Sequence, residues 1–365
     1  MKPTLSTILE QHLDHFLETH KVPLYQLKAL ESYRVCRTAR LGSHSRYCEN
    51  GHLMGVWYSS CKRRGCAQCQ GLSNARWLAL QKERLLAVTH HHWIFTLPHD
   101  LLPVWRHNRL LLQDILFRAV ADVLATLSKD PKHLNAQPGY LLTQHTWGRN
   151  LSLHPHIHCL ITHGGLDQTG KWVAPRRSSM FPAKVMMLLF RGKFLSALRD
   201  QKDIVLPKDL SAARFRALIN RLGRRDWVVH CCKPYRHGRG VLSYLSRYVR
   251  SGPLNNRQFL PSDVDHVAFR YMNHRTSKRV RQRLAPAQFI LRLCDHIPQR
   301  GKPTHRHYGL YHGCRRAALN TARALQQQSP VEKAPTITWQ EYLQRLDKIP
   351  ECPQCGGRLR ELVAN

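Results

Sequence analysis

Five of the twelve cysteines in this chain fall between Cys36 and Cys69, and that local density constrains the fold more than any other feature. Cys48-x3-His52 followed by Cys61-x4-Cys66-x2-Cys69 has the spacing of zinc ligands. A closed four-ligand site would stabilise a segment too short to build an apolar core of its own. Cys48, Cys61, Cys66 and Cys69 are the expected set. His52 or His44 could substitute for one of them or serve a second ion, and Cys36 is a spare thiolate. The competing reading is a group of buried free thiols. A second, smaller group, Cys352-Pro353-Gln354-Cys355-Gly356-Gly357, is only half a site. Its missing ligands would have to come from elsewhere, with Cys231 and Cys232 or a second chain as candidates.

Charge narrows the partner. Lys and Arg number 57 against 23 Asp and Glu, a formal net charge of +34, and such a surface repels itself unless an anionic polymer shares the load. Nucleic acid is the expected partner, ahead of an anionic membrane. Lys62, Arg63 and Arg64 stand between the zinc-ligand candidates, where they suit contact with DNA phosphates. No stretch approaches the roughly 18 consecutive apolar residues of a membrane span. The N-terminal run MKPTLSTILEQHLDHFLETHKV carries acids and histidines where a secretion signal needs an unbroken apolar core. A reducing cytoplasm, in association with the nucleoid, is the expected compartment, and cysteines there read as metal ligands before disulfides.

At 365 residues the chain is long enough for two or three domains. Residues 1 to about 35 read as two short helices broken at Pro23, and 71–88 as an amphipathic helix leading into the strand HHHWIFTLPH. The strongest helical periodicity covers 108–129. GYLLTQHTW and HPHIHCLITH read as neighbouring strands joined by a turn at Gly148, Arg149 and Asn150. Helices are expected again at 182–200, 211–222, 240–250 and 285–295, with strands at 227–234 and 264–273. QQQSPVEKAP reads as a linker before a helical tail. Strands joined by hairpins and interrupted by helices argue for an α+β fold with a mostly antiparallel sheet.

The chemistry concentrates in two places. In a strand, residues i and i+2 share a face, so His156 and His158 could hold one metal ion while Ile157 turns into the core. A third ligand could be His145, on the preceding strand, or His154, and imidazole ligation is compatible with Mg²⁺, Mn²⁺ or Zn²⁺. His90, His91 and His92 remain unassigned. In GVLSYLSRYVR, Tyr244 and Tyr248 lie one helical turn apart, roughly 6 Å on a shared face. They flank an apolar stripe of Val241, Leu242, Leu245 and Val249, a position a structural tyrosine would also take. The company of Arg239, Arg247 and Arg250 favours a site that meets phosphate. GLDQTGKW imitates a phosphate-binding loop, but Trp172 stands where the Mg²⁺-binding Ser or Thr should be.

Taken together, SCKRRGCAQCQGLSNARWL, IFTLPHDLLP, HTWGRNLSLHPHIHCLITHGGL, YLSRYV, FRYMNHRTSKR and HRHYGLYH make the chain resemble the rolling-circle transposases of bacterial insertion sequences, the group typified by insertion sequence ninety-one. The blocks run from about residue 33 to 315. The resemblance implies a histidine–hydrophobic–histidine (HUH) endonuclease core of α+β class, its antiparallel sheet flanked by helices, behind an N-terminal zinc-binding module. It makes His156 and His158 ligands of a divalent cation, Mg²⁺ or Mn²⁺; His145 is the expected third, with His154 still open. It makes Tyr244 and Tyr248 nucleophiles and the Cys48–Cys69 segment, with Cys48, His52, Cys61, Cys66 and Cys69, a structural zinc module. By their placement, Lys62, Arg63, Arg64, Arg247 and Arg250 are the expected DNA contacts. Residues 1–88 are then the zinc module with its helices, 89–315 the catalytic body and 316–365 the tail. One departure is visible: the family's Cys-x-x-Cys-Gly pair reads Cys48-Glu49-Asn50-Gly51-His52 here, so a ligand is shifted or exchanged. The implied activity is nicking and rejoining of single-stranded DNA at insertion-sequence ends through a 5′-phosphotyrosine. The alternatives are a non-catalytic zinc-containing DNA-binding protein and a replication initiator or relaxase of the same chemistry.

Overall fold

The computed structural model describes residues 3–175, 180–232, 240, 242–243, 251–273, 276–334, 336–346 and 351–359. Two N-terminal helices, α1 (Leu5–Thr19) and α2 (Leu24–Arg34), are separated at Pro23, and Thr4 caps the first through a reciprocal box with Thr7. A ribbon follows, β1 (Ser43–Tyr47) antiparallel to β2 (Leu53–Tyr58), then α3 (Gly71–Arg84). The central run is β3 (His90–Thr96), α4 (Leu102–His107), α5 (Arg109–Lys129), β4 (Gly139–Trp147) and β5 (Leu153–Thr162). After it come β6 (Gly165–Leu166), β7 (Trp172–Val173), α6 (Ala183–Arg199), α7 (Ala212–Arg224) and β8 (Val228–Cys231). A second ribbon, β9 (Val267–Asn273) with β10 (Lys278–Leu284), leads into α8 (Pro286–Cys294), β11 (His305–Gly309), α9 (Arg316–Leu325) and α10 (Trp339–Gln344).

Five strands form one antiparallel sheet in the order β11-β4-β5-β3-β8, which puts β5 and its histidines at the centre. Side chains alternate across a strand, so the sheet has two distinct faces. On one, Trp93, Phe95, Leu142, Ile157, Cys159 and Ile161 pack against α5, α6 and α7 in the largest apolar core. Ile157 and Ile161 are fully buried there, each worth about 2 kcal/mol of transfer free energy. The other face carries the histidines together with Leu141 and Leu160, and α3 and α9 cover part of it. The fold is therefore α+β, an antiparallel sheet flanked by helices.

The N-terminal helices do not form a core by themselves. Leu9, Leu13, Leu30 and Tyr33 pack with Phe269 of β9, Phe289 and Ile290 of α8, and the thiols of Cys36 and Cys66. The first residues of QQQSPVEKAP are docked where a linker is expected, and Arg323 donates to the Ser329 carbonyl. The Ala87 amide donates to the Gln328 side chain at 2.7 Å, and Arg323 donates to the Glu83 carbonyl at 2.8 Å. GLDQTGKW closes the β6–β7 hairpin, with the Asp167 carboxylate accepting from the amides of Thr169 and Lys171. A hairpin has no helix N-terminus to cradle phosphate. No helix among the described residues is long and apolar enough to cross a membrane.

Candidate active site

The central strand sets up the first cluster. Pairing of β4 with β5 places His145 opposite His156 and Thr143 opposite His158. As a result one ring nitrogen from each of His145, His156 and His158 lies within 4.8 Å of the others. His154, the alternative third ligand, is not in this group; its Nδ1 lies 3.2 Å from His99 Nε2. Nδ1 of His156 donates to the His154 carbonyl at 2.6 Å, which leaves its Nε2 with a lone pair. That Nε2 lies 3.1 Å from Nε2 of His158. His158 in turn uses Nδ1 to meet Nε2 of His92 at 2.8 Å. Donation from His158 to His92 turns both Nε2 lone pairs inward. Two nitrogens about 2.1 Å from a shared ion stand about 3.0–3.4 Å apart, so the donor set fits a cation.

Electrostatics keep these rings in the ligating form. Burial holds His156 down to about 4, and it holds His145 and His158 well below the ordinary imidazole value, with neighbouring histidines pushing the same way. His92 is likewise held down to about 4, first by burial and then by His230. Neutral imidazole is the metal ligand. Sequence reasoning left His92 unassigned. Its signal was the alternation of His90 and His92 on a strand adjoining β5.

Tyr244, Tyr248, Arg247 and Arg250 lie outside the described residues. Leu242, two residues ahead of Tyr244, is described and is buried. It packs with Leu141, Leu160 and Tyr311, on the face that bears His145, His156 and His158.

The cysteines sort differently from the sequence expectation. Cys61, Cys66 and Cys69 gather with Cys36, not with Cys48, and all four sulfurs lie within 4.8 Å of one another. Sγ–Sγ separations of 3.6 Å, Cys61 to Cys69 and Cys36 to Cys66, match the roughly 3.8 Å between thiolates about 2.3 Å from one tetrahedral zinc. Cys36 enters because it follows α2 directly, and its burial in the α1–α2 core aims it at the Cys61–Cys69 loop. Cys48 and His52 sit at the far end of the β1–β2 ribbon, beside Cys352 and Cys355. His44 lies on β1 against Arg46, outside both groups.

Of the three basic residues in this loop, Lys62 is exposed and Arg64 is turned inward. The Arg64 guanidinium donates to the Lys302 carbonyl at 3.0 Å and to the Thr304 hydroxyl, and its own carbonyl accepts from the Tyr33 hydroxyl. It joins the cysteine loop to the segment before β11. Trp147 stacks on His145, ring centroids 4.8 Å apart, and so borders the histidine cluster. Trp172 is held in the β6–β7 hairpin.

Two family descriptions match the chain: "Transposase zinc-binding domain" over residues 8–97 and "Putative transposase" over residues 139–318. The chain is 30% identical over 369 residues to a protein named "Putative transposase y4qJ" from Sinorhizobium fredii, a match covering 97% of this chain and 93% of that one. It is 30% identical over 305 residues to the transposase for insertion sequence element IS801 of Pseudomonas savastanoi pv. phaseolicola, covering 81% of this chain and 72% of that one. No solved structure gives a significant match. With a zinc-binding domain of this type, a transposase body, and similarity along nearly the whole length of a relative, the chain belongs to the IS91-type family of insertion-sequence transposases.

Proposed function

We propose that this transposase nicks and rejoins single-stranded DNA at the ends of an insertion sequence through a 5′-phosphotyrosine intermediate, in rolling-circle-type transposition. Tyr244 and Tyr248 are the nucleophiles, and His145, His156 and His158 hold a divalent cation, Mg²⁺ or Mn²⁺. One observation carries the reading: three buried imidazoles converge on the sheet face against which Leu242, at the entry to the tyrosine segment, is packed. A cation held there would supply Lewis-acid polarisation of the non-bridging oxygens of the scissile phosphate.

The chain's own groups do the rest. A tyrosine oxygen attacks phosphorus as its hydroxyl proton passes to water, the bond from phosphorus to the 3′ oxygen breaks, and that oxygen takes a proton from water and leaves as a free 3′-OH. The second tyrosine serves the other end or the target. The ester bond conserves the energy of the broken linkage, so joining needs no nucleotide, in keeping with a hairpin at GLDQTGKW. The His154 carbonyl and the His92 ring hold His156 and His158 in orientation, so the ligand nitrogens need no search of rotamers. Lys62, Arg63, Arg247 and Arg250 neutralise backbone phosphates, and Trp147 offers a surface on which an unpaired base can stack. In this reading residues 89–315 carry the chemistry, and the zinc module of residues 1–88 positions the DNA.

The test uses single-stranded oligonucleotides bearing element ends. Tyr244→Phe combined with Tyr248→Phe should abolish the covalent protein–DNA adduct on a denaturing gel, and an adduct that persists refutes the assignment. His156→Ala should abolish cleavage in Mg²⁺ or Mn²⁺ while thiolate-bound zinc is retained. Undiminished cleavage would remove the metal role.

A further inference from the structure

The Cys-x-x-Cys turn at the C-terminal end offers two ligands, and the β1–β2 ribbon supplies two more from the opposite end of the chain. Nδ1 of His52 lies 3.6 Å from Sγ of Cys48, 3.3 Å from Sγ of Cys355 and 3.8 Å from Sγ of Cys352. Sγ of Cys48 is 3.7 Å from Sγ of Cys355. A tetrahedral zinc with Zn–S of about 2.3 Å and Zn–N of about 2.05 Å sets S···S near about 3.8 Å and S···N near about 3.5 Å. The four separations scatter around those two values.

The backbone is built for the same purpose. The His52 amide and the Asn50 side-chain amide each point at a sulfur, Cys48 and Cys355 respectively, at 3.3 Å. The turn closes through Cys352 N–H to the Gly357 carbonyl and Gly356 N–H to the Cys352 carbonyl, both 2.8 Å, with Gly356 in the left-handed region at φ +70°. Cys48 pairs with Leu359 in a β-bridge, and the Glu49 amide donates to the Arg358 carbonyl at 3.0 Å. Cys48 and Cys352 are buried yet belong to none of the three apolar clusters, so apolar packing does not explain their burial.

We propose that Cys48, His52, Cys352 and Cys355 bind a second zinc ion, separate from the Cys36–Cys61–Cys66–Cys69 site, and that this ion fastens the C-terminal tail to the N-terminal module. Three thiolates and an imidazole select zinc over Mg²⁺ or Ca²⁺. The tail is already guided to this place: Arg46 of β1 lies between the rings of Trp57 and Trp339, 4.8 Å and 5.2 Å from their centroids. The zinc-binding-domain match ends at residue 97 and so contains only half of these ligands. The other half, Cys352 and Cys355, lies 300 and 303 positions from His52 in sequence.

Cobalt reconstitution of the full-length chain tests this, because thiolate-to-cobalt charge transfer counts thiolate-bound ions separately from any ion at the histidine triad. The expected result is two thiolate-bound ions per chain. Cys352→Ser with Cys355→Ser should retain one, with the spectrum of a four-thiolate site, and residues beyond Trp339 should become sensitive to protease. His52→Cys, which keeps four ligands, should retain two ions and convert the second spectrum from three thiolates and one imidazole to four thiolates. One thiolate-bound ion in the unmodified chain, or an unchanged spectrum in His52→Cys, overturns the proposal. Neither readout depends on the tyrosine chemistry.

Discussion

Lowering the pH from about 8 to about 5 should remove roughly 6 kcal/mol of stability through three histidines outside the His145–His156–His158 cluster. Burial, with His163 adding to it, holds His91 down to about 4; burial also holds His296 down to about 4; burial, then His305 and Arg84, holds His307 down to about 3. Each has a folded value below its unfolded value of about 6.5, so the unfolded chain binds more protons over the window between them. Stability is therefore complete above the unfolded value and is lost as pH falls toward the folded one. At pH 5 the difference is about 2 kcal/mol per histidine, and the three together approach half of a typical domain's stability. Zinc loss on thiolate protonation acts in the same direction, so the decisive measurement is a difference. His307 donates to the Gln81 side-chain oxygen at 2.6 Å, and His307→Leu forfeits that bond at every pH. The variant should start less stable at pH 8 yet lose about 2 kcal/mol less than the parent on going to pH 5, read as urea midpoints at both values. Equal losses in the two proteins would refute the argument.

Other perturbations address single elements. Asp295, at the end of α8, takes Arg109 at 2.7 Å and Arg106 at 3.0 Å; Asp295→Ala should cost about 2–3 kcal/mol in urea denaturation, because two guanidinium groups then face each other without a counter-charge. Gly309 has φ +56° and an added Cβ would stand 1.9 Å from the Pro138 carbonyl, so Gly309→Ala should detach β11 and lower the melting temperature sharply. Gly170→Ala, at φ +80° in open space, should cost only about 1 kcal/mol. Arg279 and Arg281 stand exposed on the same face of β10, across from Met272 and Arg270. Replacing both with alanine should flatten the log–log salt dependence of DNA binding by about 2, and an unchanged slope would place the ribbon away from phosphate.

Much of this architecture is legible in residue order. Pro23 separates α1 from α2 because proline is tolerated where a helix starts and not inside one, and the alternation from His154 to Thr162 marks a strand with one apolar face. Local rules carry those elements. They fail for β1 and β2, whose residues are largely exposed and do not alternate, and for β11, whose run His305–Gly309 is half-buried at a sheet edge. The histidine cluster was half visible. His156 and His158 share a face by periodicity alone, whereas the choice of His145 over His154 and the support from His92 depend on register between strands. Cysteine partners were least visible, since spacing reports what lies near in sequence. Cys36 displaces Cys48 by tertiary packing, and the partners of Cys48 lie at the other end of the chain.

The pairing of Cys48 with Leu359 also has a temporal side. A ribosome adds about 5–20 residues per second, so the first ribbon waits on the order of 15–60 seconds for the strand that pairs with it. During that interval the Cys48 thiol and the His52 imidazole stand without their last neighbours. A product cut short before Cys352 would leave them so permanently, which makes this ribbon depend on residues translated long after it.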